Sequence, residues 1–203
     1  MNNLHDRAAF EEFYAAEVPW DIGRPQRPFV AIADRVTSPV LDAGCGTGDT
    51  SLFFATRGHR VTGIDFTKQA IRRARAKAAE QKLDAEFLVK DALTLADWDA
   101  RFSTVLDSGL FHVLSDEDRR RYVQGLAHVL QPGGQLFLMC FSDKEPGTEG
   151  PRRVSQQELR KAFSQGWDID SIDAVRVEVN PAFKETGFSE GGPKAWFATI
   201  RRQ

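Results

Sequence analysis

Seven residues, Asp42-Ala43-Gly44-Cys45-Gly46-Thr47-Gly48, stand between the apolar pair Val40-Leu41 and the helix-like run Ser51-Leu52-Phe53-Phe54-Ala55. Glycines without a Cβ let a backbone approach a ligand closely, and the start of the following helix offers free N–H groups to a negative charge. Asp65 closes the next apolar segment, Arg60-Val61-Thr62-Gly63-Ile64. A carboxylate about twenty residues beyond a glycine turn can accept the ribose hydroxyls of an adenine nucleoside. Dinucleotide binders space their glycines as Gly-x-Gly-x-x-Gly, with the last one serving pyrophosphate and helix packing. Here the spacing is Gly-x-Gly-x-Gly. The pattern implies an adenosine-containing cofactor that lacks pyrophosphate.

The elements that must hold these groups follow from the pattern around them. Val40-Leu41, the glycine turn, the helix-like run ended by Gly58, and residues 60–65 make one strand–helix–strand unit. Thr67 can cap a helix carrying Ile71, Ala74 and Ala78, and a strand is predicted over residues 85–89. The alternation continues with a strand over 103–107. A helix with Tyr122, Val123, Leu126, Val129 and Leu130 on one face comes next, then a strand over 135–141 entered through a turn at Gly133-Gly134. Strands and helices alternating at this length predict a parallel sheet covered on both faces with right-handed crossovers. Beyond it, Val175, Val177 and Val179 alternate with polar residues and 194–200 is strand-like. An antiparallel pair at one sheet edge is therefore expected.

The motif set as a whole resembles the class I S-adenosylmethionine-dependent methyltransferases. The resemblance rests on Leu41-Asp42-Ala43-Gly44-Cys45-Gly46-Thr47-Gly48, Ile64-Asp65-Phe66, Lys90-Asp91-Ala92 and Leu130-Gln131-Pro132-Gly133-Gly134. It implies an α/β Rossmann-like fold with a seven-stranded, mostly parallel sheet whose C-terminal strand is antiparallel. It puts Asp42 and the glycine turn (Gly44, Cys45, Gly46, Gly48) beside the methionine part of the cofactor and Asp65 on its ribose. Phe66 falls beside adenine, with Asp91 and Ala92 near the adenine amino group, though Asp91 alone could cap a turn and Phe66 could be core. Asp107-Ser108-Gly109-Leu110-Phe111-His112 should line the reaction centre, with Ser108 toward the cofactor and Phe111 toward the acceptor. His112 is either a general base or a structural hydrogen-bonding group.

Val18-Pro19-Trp20-Asp21-Ile22-Gly23-Arg24-Pro25-Gln26 resembles the Pro-Trp-Asp-x-Gly-x-Pro-Gln signature of the thiopurine, thiol and halide methyltransferase branch. By that resemblance the segment folds over the cofactor, where Trp20 against the sulfonium would gain roughly 0.5–2 kcal/mol. The alternative is that Trp20 anchors an N-terminal helix bearing Phe10, Phe13 and Tyr14. Gly150-Pro151-Arg152-Arg153-Val154-Ser155 resembles the acceptor-side loop of the same branch, with Arg152 and Arg153 where a proline and an aromatic are usual. Two guanidinium groups there suggest an anionic or polar acceptor, or else a solvated surface.

Composition narrows the classes. With 203 residues the chain holds one domain, divided into an N-terminal helical cap (1–36), a cofactor-binding core (37–141) and an acceptor-side loop with C-terminal strands (142–203). No window of apolar residues could span a membrane, and the first ten residues carry no secretory pattern, so a cytoplasmic protein is expected. Net charge −2 gives no electrostatic reason to bind nucleic acid, and the 107–110 segment lacks the Asn/Asp-Pro-Pro-aromatic element of base methyltransferases. The partner expected is a small-molecule methyl acceptor. The scattered histidines His5, His59, His112 and His128 and the two cysteines offer no metal-ligand spacing, so no metal is expected. A non-catalytic cofactor-binding protein and, less compatibly with the glycine spacing, a nicotinamide oxidoreductase are the rival classes.

Overall fold

The computed structural model describes residues 7–14, 16, 18–148, 150–183 and 187–203; His5 lies outside them. Its seven strands are β1 (Val40–Ala43), β2 (Val61–Asp65), β3 (Glu86–Val89), β4 (Phe102–Ser108), β5 (Leu130–Phe141), β6 (Trp167–Arg176) and β7 (Lys194–Arg202). They form one sheet in the order β3-β2-β1-β4-β5-β7-β6. β1 pairs in parallel with β2 and β4, as do β2 with β3 and β4 with β5. β7 runs antiparallel to both β5 and β6. The strand order reverses between β1 and β4, so the crevice that such sheets use for ligands opens beyond the ends of these two strands.

Alternate side chains point to opposite faces of a strand, and β5 shows it. Leu136, Leu138 and Cys140 join a core with Tyr122, Leu126 and Val129 of α5 (Asp116–Val129), as does Leu159 of α6 (Gln156–Ala162). Phe137, Met139 and Phe141 face the other way, toward Phe29 and Phe54. Those two belong to α2 (Arg27–Ala31) and α3 (Asp49–Ala55). On the same side α4 (Lys68–Gln81) packs Ile71, Ala74 and Ala78 around Phe87 of β3. The N-terminal helix α1 (Arg7–Phe13) lies over the strand ends, where Tyr14 and Val18 pack on Ala70.

Three local expectations change. Thr67 sits at the N-cap position of α4, but its hydroxyl goes to Asp65. The free N–H groups of Lys68 and Gln69 are instead met by the carboxylate of Glu11, from α1. Gly133 and Gly134 lie within β5 near a register shift against β4, because Gly133 takes φ +78° while a Cβ on Gly134 would sit 2.8 Å from the Gln131 carbonyl. The alternation at Val175, Val177 and Val179 marks the end of a strand that starts at Trp167 and stops at Arg176. Beyond it the backbone of Glu178 is taken by the side chain of Gln26, which donates to its carbonyl and accepts from its N–H, each at 2.8 Å. Among the described residues no helix is long and apolar enough to cross a membrane.

Candidate active site

A cavity of about 890 Å³ opens at the carboxyl ends of β1, β2, β4 and β5. That volume lies near the upper end for small-molecule sites, with room for two ligands side by side. One half of it is formed by the glycine turn. Gly44 and Gly46 adopt φ +71° and +53°, in the left-handed region, and a Cβ on Gly46 would sit 2.8 Å from the Tyr14 hydroxyl. Gly48 has φ +86° as well, but a Cβ there would meet the Phe87 ring at 2.9 Å, so it serves helix packing.

Two buried carboxylates flank the turn. Asp42 accepts from the Ser51 hydroxyl at 2.6 Å, and burial pushes it up to about 6. Asp65 accepts from the Gly46 N–H at 3.1 Å, the Thr67 N–H at 2.8 Å and the Thr67 hydroxyl. Burial raises it too, against those three bonds. A carboxylate offers about four acceptor positions, so about one remains toward the cavity. Lys77 ties the turn to the N-terminal segment, donating to Thr47 at 2.8 Å and Asp49 at 2.7 Å and lying 3.8 Å from Asp21.

The N-terminal segment closes one wall. Trp20 donates its indole N–H to the Tyr14 hydroxyl at 3.0 Å and packs edge-on against Tyr14 and Phe13. Phe10 bridges this cluster to Phe66 at a centroid distance of 5.6 Å. Arg24 forms a two-pronged pair with Glu178, and the Asn180 N–H donates to the Pro19 carbonyl. Residues 18–26 are thereby fastened to the segment that follows β6.

The other half is apolar. Met139 and Phe141 of β5, Val177, Val179 and Phe188 line it, with Phe188 edge-on to Phe141 at 5.5 Å. Glu145 fixes that wall by accepting from the Ser189 and Lys194 N–H groups, both at 2.8 Å. His112 faces the cavity between the two halves. Its Nδ1 accepts from the Phe141 N–H at 2.9 Å, and burial, with the Arg119 and Arg153 charges, depresses the ring to about 3.

Such a turn, acidic residue and apolar neighbour at the switch point suit a nucleoside cofactor and a second small molecule. Residues 40–134 match the family model described as a methyltransferase domain. The chain is 36% identical over 202 residues to the 2-heptyl-1-hydroxyquinolin-4(1H)-one methyltransferase of Mycobacteroides abscessus, covering 97% of this chain and 87% of that one. The chain belongs to the class I S-adenosylmethionine-dependent methyltransferases. A probable thiol methyltransferase of Arabidopsis thaliana is 27% identical over 175 residues, covering 82% of this chain and 76% of that one. A structure solved in work on converting a disulfide bond into a thioacetal group during echinomycin biosynthesis superposes with TM-score 0.85 at 33% identity. It covers 98% of this chain and 93% of that one. The enzyme transfers methyl groups from S-adenosylmethionine to a small-molecule acceptor.

Of the methyltransferase residues expected from sequence, the structure brings Trp20, Asp42, Gly44, Cys45, Gly46, Asp65, Phe66, Ser108 and His112 to the cavity. Gly48 packs beneath it. Asp91 and Ala92 are not on its wall, since β3 is the sheet edge and Asp91 caps the following turn by accepting from Leu93 N–H at 2.9 Å. Phe111 is fully buried in the core, under the Arg119 guanidinium and against Phe163, because Asp107 accepts from the Leu110 and Phe111 N–H groups and turns the ring inward. Arg152 pairs with Asp116 and Glu158, and Arg153 donates to the carbonyls of Glu145 and Pro151; neither lines the cavity. Tyr14, Phe141, Val177 and Phe188 escaped sequence reasoning. The density of aromatics at Phe10, Phe13, Tyr14 and Trp20 was the available signal for the first, whereas the other three come from loops and strand ends joined only by folding.

Proposed function

We propose that this methyltransferase acts on the oxygen of a hydroxylated, largely apolar heteroaromatic compound. The observation that carries the reading is the apolar wall of Met139, Phe141, Val177, Val179 and Phe188, which neither Arg152 nor Arg153 lines, the Arg153 guanidinium lying over the Phe141 ring and Arg152 being paired with Asp116 and Glu158. Flat rings gain from edge-on aromatic neighbours such as Phe141 and Phe188. The relative at 36% identity, named for a hydroxyquinolone, agrees with it. A second reading, a thiol or other sulfur acceptor, draws on the thioacetal-related structure and the thiol methyltransferase.

In this reading the backbone of Gly44, Cys45 and Gly46 and the side chains of Asp42 and Ser108 hold the amino-acid part of the cofactor. Asp65 holds one ribose hydroxyl and Phe66 lies against adenine. S-adenosylmethionine supplies an electrophilic methyl group on a sulfonium. Tyr14 accepts from Trp20 and so keeps its own proton free to donate into the cavity. Trp20 and Phe13 cover the opening and exclude water. Alignment of acceptor and methyl carbon is worth up to about 7–11 kcal/mol in well-oriented reactions, so no protein nucleophile is required. We also place the reaction in the cytoplasm, on a free small molecule and without nucleic acid.

A panel of 1-hydroxyquinolin-4(1H)-one, a phenol, an alkyl thiol and iodide, read by release of S-adenosylhomocysteine, tests this. The expected result is turnover of the hydroxyquinolone at least tenfold above the thiol. Preference for the thiol supports the second reading, and turnover of iodide alone contradicts both.

A further inference from the structure

His112 sits where a base would be convenient, yet its bonding fixes a different role. The Phe141 N–H can only donate, so the Nδ1 atom it reaches at 2.9 Å is an acceptor and carries no proton. In a neutral imidazole the proton is then on Nε2. Phe141 N–H belongs to the last residue of β5, and the ring is also wedged against the Phe141 side chain at a centroid distance of 5.0 Å. Turning the ring over would strand a buried backbone donor. Among the described residues nothing accepts from Nε2, while the ring lines the cavity. The charged groups acting on it, Arg119 from α5 and Arg153 from the acceptor-side loop, are both cationic and oppose a second proton.

We infer that His112 is a fixed hydrogen-bond donor to the anionic oxygen of the acceptor and takes no proton during the reaction. The inference rests on the oxygen-acceptor reading above. An oxyanion entering a wall of Met139, Phe141 and Phe188 loses its water, and an unpaired charge in such a place is costly. One N–H from Nε2 restores a partner and leaves other lone pairs of that oxygen for reaction. The acceptor ionises by giving its proton to bulk water. Its oxygen lone pair then forms the bond to the methyl carbon, while the carbon–sulfur bond breaks and its electron pair goes to sulfur. No proton crosses the protein. The acceptor class narrows accordingly to hydroxyl groups acidic enough to ionise near neutrality, such as N-hydroxy or enolic heteroaromatic oxygens.

Nitrogen-15 spectra of the histidine rings in the full chain with S-adenosylhomocysteine test the tautomer without any turnover. The expected result is a His112 ring protonated on Nε2 alone from pH 5 to 9, whose N–H signal moves when the 1-hydroxyquinolin-4(1H)-one anion is added. A proton on Nδ1, a ring that titrates in that range, or no response of the N–H signal to an anion that calorimetry shows to be bound overturns the assignment. His112→Asn keeps an acceptor for the Phe141 N–H but has no group at the Nε2 position. It should melt close to the parent yet lose about 10- to 100-fold in kcat/KM. His112→Gln, with an amide N–H at the Nε2 position, should recover part of the loss. In His112→Asn the rising limb of the kcat–pH profile should persist and move to higher pH, since a lost donor raises the bound acceptor's pKa. Disappearance of that limb would show a base instead. If the tautomer holds while the hydroxyquinolone is neither bound nor methylated, the acceptor reading fails and the donor orientation stands.

Discussion

The glycine-turn half and the apolar half of the cavity are built by different rules. The first comes from contiguous chain at the ends of central strands, Asp42 to Gly46 running out of the end of β1 and Asp65 at the end of β2, held by backbone conformation and buried carboxylates. The second gathers Met139 and Phe141, Val177 and Val179, and Phe188, which are brought together by the β6–β7 hairpin and the Glu145 carboxylate. Fixed backbone suits a ligand common to a whole family. Side chains from several loops suit one that differs between members. Changes in the first region should therefore alter cofactor affinity or the fold, while changes in the second should alter the acceptor.

The largest effect is expected from Gly48→Ala. It forces a Cβ toward the Phe87 ring at a positive φ, and crowding and backbone strain together should cost about 2–4 kcal/mol of stability. Denaturant titration checks it. Unchanged stability with lost cofactor affinity would move Gly48 into the site. Asp65→Ala should weaken S-adenosylhomocysteine binding by about 1–3 kcal/mol, measured by calorimetry, without changing which acceptor is preferred. A change of acceptor preference would blur the two halves.

Asp107 tests the floor beneath both. Burial raises it to about 7, despite bonds from the Leu110 N–H and the Tyr122 hydroxyl. Between the unfolded value near 4 and about 7 the native state binds the extra proton, so stability falls as pH rises through that window and levels off above it. The slope is at most roughly 1.4 kcal/mol per pH unit for this group. Asp107→Asn should flatten the curve of melting temperature against pH between 5 and 7. An unchanged slope would show that Asp107 is ionised throughout.

Trp20→Ala should reduce turnover by the equivalent of about 0.5–2 kcal/mol, more than it reduces stability, because Trp20 is 43% exposed and covers the opening. A pure loss of stability would make it only an anchor for Tyr14. The smallest effect belongs to Arg152→Ala. Its partners Asp116 and Glu158 are surface groups, so stability should change by no more than about 1 kcal/mol and acceptor preference not at all.

The sequence disclosed the sheet, its antiparallel edge and the glycine turn, because each rests on local signals. Glycines at 44 and 46 need positive φ, β-branched and apolar runs mark the strands, and Asp65 ends one of them. Where a side chain would point was less readable. Phe111 and His112 are neighbours, yet Asp107 turns one into the core and Phe141 captures the other at the cavity. The spacing of Arg152 and Arg153 fits either ligands of an anionic acceptor or a solvated surface, and only the fold shows Asp116 and Glu158 meeting the first and the carbonyls of Glu145 and Pro151 and the Phe141 ring meeting the second. Gln26 showed the opposite case, a residue noticed only within a motif whose side-chain amide fastens the N-terminal segment to Glu178.

A crystal structure with S-adenosylhomocysteine and 1-hydroxyquinolin-4(1H)-one would test the division of the cavity most directly. The quinolone ring is expected between Phe141 and Phe188, with its N-oxide oxygen within hydrogen-bonding distance of His112 Nε2 and the adenosine on the Asp65 side. A quinolone bound at Arg152 and Arg153, or with its oxygen turned away from His112, would contradict it.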